Sequence, residues 1–376
     1  MKNRLHQSQI AFGLSIVIAL CCVNCSSSKP PGVWAPVDTG TGDTFTTVNF
    51  VNENIGWLNG RGERNPEPEQ NENSNKKPKK PGEKIVDPLK ENQGFEVLQT
   101  TDGGQTWHQI PDQFKNKIRS VWFVDAQHGW ALTIDRDILA TVDGGATWIN
   151  QRKAGKVKLK LLGNRREPDL DQPEQIDQIY FIDANHGWAW GGGRKDEYAE
   201  QPGILLTTID GGKNWNQINY PFDQQTAAIF FLNADQAFAS SMGASFYKTT
   251  DGGLNWAKVQ TKLPEDVFGA LFFTSANDGW AVGRSGRLAK TADGGRTWRK
   301  MYEIKDEFKM RDIFFTDHNH GWTVGEDGAI LYTPDAGESW VKIDSPIPAK
   351  FTDIVFVGKY GWAVGLSGAL LRYEPK

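Results

Sequence analysis

Six carboxylates recur in one phrase, Thr-x-Asp-x-Gly-x-x-Trp, at Asp102, Asp143, Asp210, Asp251, Asp293 and Asp335. An aspartate can move a proton, hold a cation or tie up a turn. Catalysis needs such a group once or as a pair, so six copies at constant spacing read as architecture. In that role the carboxylate accepts backbone N–H bonds within the turn, the Gly pair takes positive φ, and the Trp packs between sheets. His128, His186 and His320 each precede Gly-Trp in an equivalent turn, and the same reasoning makes them turn residues rather than metal ligands. The eight Tyr are scattered, and neither a Tyr–Glu pair nor a pair of working carboxylates can be assigned. Cys21, Cys22 and Cys25 all lie near the N-terminus, which leaves the body of the chain without a disulfide or a Cys-based site. The expectation is no catalytic residue, no metal and no cofactor.

A second phrase alternates with the first. It ends in Gly-Trp or its equivalent at Trp57, Trp130, Trp188, Phe238, Trp280, Trp322 and Trp362. A marker aromatic precedes each: Phe50, Phe123, Phe181, Phe231, Phe273, Phe315 and, one residue closer, Phe356. From the second phrase to the next Asp-box Trp is 18 residues in four units, and the undisturbed repeat is about 42 residues. Each repeat holds four short runs rich in Val, Ile, Phe and Trp, such as "RDIFFTD", "GWTVG", "GAILYT" and "ESWVKI", punctuated by Gly, Asp and Asn. Four antiparallel strands at this period make a propeller blade.

Seven second phrases against six Asp boxes leave the seventh unit, ending in "GALLRYEPK", without its fourth strand. "GVWAPV" supplies one, because Trp34 stands 23 residues before Trp57, the usual distance from a box Trp to the next phrase. The fold expected is therefore all-β: a seven-bladed β-propeller over residues 33–376, four antiparallel strands per blade, closed by the N-terminal strand so that no sheet edge is left open. Thirteen of the 15 Trp occupy repeat positions; Trp122 and Trp190 do not.

Three insertions interrupt the pattern, at 61–93, 152–176 and 191–202. The first is charged, Pro-rich and poor in aliphatic residues, which predicts disorder. The second contains "VKLKLLG", an alternating run that suits a hairpin arm. The first and third join strands two and three of a blade, and the second joins strand four to the next blade. Both connection types emerge opposite the Asp boxes, so all three should crowd one face, the one expected to bind. That face also receives the residues four before each marker aromatic: Thr46, Arg119, Asp177, Ala227, Gly269, Arg311 and Thr352. These are expected around the mouth of the central channel, with Arg119 and Arg311 as partner-binding groups and Arg284 and Arg287 beside them in a strand two–three turn. The competing reading of each is an ordinary solvated arginine.

Lys2 and Arg4 followed by the uncharged run "IAFGLSIVIALCCV" suit a signal peptide over 1–25, too short for a comfortable membrane span. Cys25 followed by a polar tether, 26–32, resembles a bacterial lipoprotein signal and makes Cys25 the expected lipidation site. The formal charge of −4 gives no nucleic-acid signal. Asp boxes also occur in sialidases, but the Phe/Tyr-Arg-Ile-Pro phrase of that family is missing. The runs "IFFTDHNHGWTVGEDGAILYTPDAGESW" and "LFFTSANDGWAVGRSGRLAKTADGGRTW" are similar to those of the photosystem II stability/assembly factor family. That resemblance covers residues 33–373 and implies seven blades behind a signal peptide, and a non-catalytic role in holding membrane-protein subunits during assembly. It also implies an arginine patch on one face, which Arg119 and Arg311 match best. The expected partner is a membrane-protein subunit or complex, the expected state a monomer, and the expected location periplasmic or lumenal, possible membrane anchoring included. The alternative is an extracellular Asp-box glycosidase, sialidase-like or otherwise, or a glycan-binding propeller. Asp177, Asp169 and Glu174 would be its first catalytic suspects.

Overall fold

The computed structural model describes residues 30–61, 95–110, 118–161, 170–194, 199–261, 263, 266–283, 285–303 and 309–376. Cys25, Arg284 and Asp169 lie outside these, as does nearly all of the 61–93 insertion. Seven four-stranded antiparallel sheets form the ring. Blade two shows the pattern: Ile118–Phe123 innermost, then Gly129–Thr133, Ile138–Thr141 and, outermost, Ile149–Arg152. The remaining innermost strands are Thr44–Phe50, Gln178–Phe181, Thr226–Phe231, Phe268–Phe273, Met310–Phe315 and Phe351–Val357.

Blade seven closes as the seven-to-six count predicts. Gly32–Pro36 pairs with Leu370–Pro375, Trp34 opposite Tyr373. Register makes Trp34 the counterpart of the box Trps. In blade three Trp188, Thr207 and Asn216 stand in line, with Trp215 preceding Asn216. In blade seven Trp362, Arg372 and Ala35 stand in line, with Trp34 preceding Ala35. Trp34 also meets Phe356 edge-on at 5.8 Å, as Trp148 meets Phe123 at 5.9 Å and Trp215 meets Phe181 at 5.8 Å.

The blades are joined by aromatic stacking. At six of the seven junctions the second-phrase aromatic lies flat on the marker Phe of the following blade: Trp57 on Phe123 at 3.7 Å, Trp130 on Phe181 at 3.5 Å, and, across the closing junction, Trp362 on Phe50 at 3.5 Å; Trp322 and Phe356 stand further apart, at 5.7 Å. Offset stacks of this kind add to plain burial of apolar area. At four junctions the indole N–H completes the latch by donating to the next blade's Asp box: Trp130 to Gly211 O at 3.0 Å, Trp188 to Gly252 O at 2.8 Å, Trp280 to Ala336 O at 2.8 Å, and Trp362 to Gly103 O at 3.1 Å. The Gly spacing thus serves two blades at once.

The Asp boxes are turns, as repetition predicts. In the second, Asp143 Oδ1 accepts from Thr147 N at 2.8 Å and Thr141 Oγ1 at 2.7 Å, while Oδ2 accepts from Thr147 Oγ1 at 2.5 Å. Both glycines there have positive φ, 72° and 96°. His128, His186 and His320 each lean on an aspartate three residues before them, Asp125, Asp183 and Asp317. Among the described residues no group of three or more His, Cys, Asp or Glu side chains gathers as a metal ion would require.

Candidate partner-binding face

The innermost strands carry a feature that the sequence did not disclose. In six blades the register between the first two strands slips by one residue. The skipped residues are Thr46, Arg119, Ala227, Gly269, Arg311 and Thr352, the positions expected at the channel mouth. A bulge re-aims its extra side chain. Arg119 and Arg311 are not among the residues that line the channel, whereas Asp177, from the blade without the slip, and the small bulge residues Ala227 and Gly269 are. Ring position separates the two arginines as well, since they belong to blades two and six.

Arg311 pairs with Glu326, whose other oxygen lies 3.7 Å from Lys350 Nζ. Arg287 lies 3.7 Å from the buried carboxylate of Asp266. Arg119 has the richer setting. Its Nη1 donates to Asp177 Oδ1 at 3.0 Å, and Arg136 Nη1 donates to the same oxygen at 2.7 Å. Arg136 also reaches Ile176 O at 3.1 Å and Gln175 Oε1 at 3.0 Å. Next to them Glu174, 7% exposed, accepts from Arg152 Nη2 at 2.7 Å and from Gly155 N at 2.9 Å. Three guanidinium groups therefore face two carboxylates where blades two and three meet. Arg119 keeps a third of its side chain exposed.

The insertions frame this corner. Lys156–Leu161 pairs with Leu170–Pro173, the hairpin arm expected from "VKLKLLG". Its other edge pairs with Ala199–Glu200 from the third insertion, so the two insertions share a three-stranded sheet that stands apart from the blades. Arg136 and Arg152 were missed by sequence reasoning. Their signal was present: Arg136 sits in a strand two–three turn, and Arg152 ends an outermost strand, both on the expected face.

The channel has its own chemistry. A bore of about 630 Å³ runs through the ring, lined by the innermost strands. Within it Asp312 Oδ2 accepts from Ile354 N of blade seven at 3.0 Å, and Asp353 Oδ2 accepts from Val48 N of blade one at 2.8 Å. The two carboxyls are neighbours across the blade junction, and the ionisation of each bears on the other. Protein surrounds both, although their edges touch the bore. Burial, followed by the neighbouring Asp353 charge, holds Asp312 well above the usual carboxylate range, and burial raises Asp353 too. One proton shared between them is the expected state. The sequence reading, that no pair of working carboxylates can be assigned, did not anticipate these two neighbours at the blade junction.

Known proteins fit this picture. The family model of the photosynthesis system II assembly factor YCF48 matches residues 100–263, 214–303, 256–344 and 300–374. A photosystem II assembly lipoprotein, Ycf48, from Synechococcus sp. (strain CC9902) is 28% identical over 159 residues, 42% of this chain and 40% of the relative. The match thus spans less than half of either protein. The solved structure of YCF48 bound to D1 peptide superposes with a TM-score of 0.66 at 19% identity, covering 93% of this chain and 98% of that one. YCF48 from Cyanidioschyzon merolae gives 0.65 at 19%, covering 91% and 99%. A streptogramin B lyase shares the fold, at 0.60 and 9% identity, with 93% and 100% covered. With the model matched over well more than half of the sequence, this chain belongs to the photosynthesis system II assembly factor YCF48 family.

Proposed function

We propose that this chain is an exported, non-catalytic propeller that holds a membrane-protein subunit during assembly and docks it on the insertion face. The observation that carries the reading is the Arg119–Arg136–Asp177 cluster, with Arg152 and Glu174 beside it, framed by the shared sheet of two insertions. Guanidinium groups pre-positioned by carboxylates offer a planar fork to a partner's carboxylate at little entropic cost. A D1-like segment is the partner class that the named relatives favour. Lipidation at Cys25 and a periplasmic or lumenal location belong to the same reading. So does action as a monomer without catalysis. Arg287 and Arg311 belong to blades five and six, away from this cluster, and are secondary contacts in this reading; Arg284, outside the described residues, is grouped with Arg287 by sequence alone.

Capture of the partner from detergent-solubilised membranes tests the reading. Arg119→Ala and Arg136→Ala should each weaken capture at least tenfold, a loss of about 1.4 kcal/mol or more. Arg296→Ala, in an Asp-box turn on the opposite face, should leave it unchanged. Equal capture by the first two variants and the wild type would sink the site.

Against the glycosidase alternative, its suspects among the described residues, Asp177 and Glu174, are both bonded to arginines. Turnover of a panel of sialosides and β-glucans that vanishes with one carboxylate substitution would revive it.

A further inference from the structure

The register of the closing strand fixes where the N-terminus leaves the ring. Box Trps mark the Asp-box end of each outermost strand, and Trp34 occupies that place in blade seven. Gly32, two residues earlier, therefore lies at the Asp-box face. The last residue lies there as well, since Lys376 N donates to Pro31 O at 2.8 Å. Between Cys25 and Pro30 there are only five peptide steps, a reach of at most about 18 Å when fully extended.

Across the ring, the tips of the Asp boxes in blades two to four differ from the rest. Val142, Ile209 and Leu254 are 66%, 72% and 58% exposed. Blades one, five and six carry Thr101, Ala292 and Pro334 where blades two and three carry Val142 and Ile209. They carry Gln105, Arg296 and Glu338 where blade four carries Leu254. The apolar tips are separated by polar turns, so they form no continuous patch of the kind that a shaped protein interface needs. Single apolar side chains on separate turns suit a fluid boundary, into which each can dip on its own. Partial burial of such side chains is the second signal that firm attachment needs beside an acyl chain.

We infer that the Asp-box face lies against a lipid bilayer, with the tether at blade seven on one side and the tips of blades two to four on the other. The insertion face, with its arginine cluster, then points into the aqueous compartment. It is positioned to take segments that project from the membrane rather than the membrane surface itself. This orientation rests on the lipid tether proposed above.

The test uses the processed chain, whose only cysteine is Cys25, coupled through that cysteine to a maleimide lipid in phosphatidylcholine–phosphatidylglycerol vesicles. Orientation is then read whether or not cells acylate the protein. Lysine labelling by an amine-reactive ester, mapped by mass spectrometry, should fall at least threefold at Lys213 and Lys359 on the Asp-box face. It should stay unchanged at Lys309 and Lys350 on the insertion face. Protection of the second pair, or equal labelling of both, overturns the orientation. The triple variant Val142→Asp, Ile209→Asp, Leu254→Asp should restore labelling of Lys213 while Lys359 stays protected. Unrestored Lys213 would show that the tips make no contact. The mass of protein extracted from native membranes decides the lipidation itself, so failure of the tether and failure of the orientation are told apart.

Discussion

Aspartates in two regions of this molecule are pushed in opposite directions. In the Asp boxes the carboxylate is wrapped by short donors: hydrogen bonds from Thr147 hold Asp143 at about 2, and those from Asn214 do the same for Asp210. At the seam between blades six, seven and one, Asp312 and Asp353 meet each other instead of a cation, and burial raises both. The groups that pack against the seam pair bring no basic side chain: Thr323 from the neighbouring strand donates to the Asp312 backbone carbonyl, and Ile354 and Val48 offer only backbone N–H. The same residue type is thus a readily ionised turn cap in one place and, in the other, a buried carboxyl whose ionisation is held back. What differs is the supply of donors, which a turn generates from its own backbone and a junction must borrow from the next blade.

Stability against pH separates the two sets. The box carboxylates are more acidic folded than unfolded, so their contribution is complete above the ordinary carboxylate range and is lost as pH falls through about 2. The seam pair holds its proton more tightly when folded. Its contribution is complete at low pH and declines as pH rises from the ordinary carboxylate range towards the raised value.

The junction itself gives the largest effect. Trp34→Ala should destabilise by about 3–5 kcal/mol, since it empties a buried indole site, and deletion of residues 30–40 should do more. An unchanged melting curve would rule out closure by this strand. Next, Asp312→Asn can keep the contacts to Ile354 N and Asp353 without the shared proton. It should raise stability at pH 8 by on the order of 1–2 kcal/mol and flatten the decline with pH. Chemical denaturation at several pH values reads it, and a parallel loss at every pH would show that the pair is not proton-sharing. Asp335→Ala removes bonds from Ser339 N, Ser339 Oγ and Thr333 Oγ1. It should destabilise by about 1 kcal/mol at pH 7 and by much less at pH 2. The smallest effect is expected at Ala336, which stands at φ 59° where the other five boxes have glycine. Ala336→Gly should gain a few tenths of a kcal/mol, because relief of the left-handed strain is offset by backbone entropy.

Repetition made the architecture legible. Blade count, strand order, box geometry and the closing role of Trp34 all follow from spacings, because each blade repeats the same local contacts. The hairpin arm was legible too, from the alternation in "VKLKLLG". The pairing of that arm with Ala199–Glu200 was not, as it joins two insertions with no shared pattern. The bulges stayed hidden because an extra residue in an innermost strand leaves the repeat length unchanged. Asp312 and Asp353 stayed hidden for a related reason. Each is unremarkable in its own blade, and only the ring places equivalent positions of neighbouring blades side by side. Reading the position three before each marker aromatic around the ring would have exposed them: Thr47, Ser120, Gln178, Ala228, Ala270, Asp312 and Asp353.

The pairing of Gly32–Pro36 with Leu370–Pro375 also sets the order of events in folding. Blades one to six can each form from one continuous stretch of chain, but this pair joins segments roughly 340 residues apart. Contacts of such long separation form late, after the local ones have restricted the chain. Whichever end emerges first, the strand around Trp34 has no partner until the last residues arrive. From the arrival of Leu370–Pro375 until the two strands dock, the molecule carries an unpaired sheet edge, open to a neighbouring chain. Conditions that slow the final docking should therefore yield linked dimers and aggregates before they yield unfolded monomers.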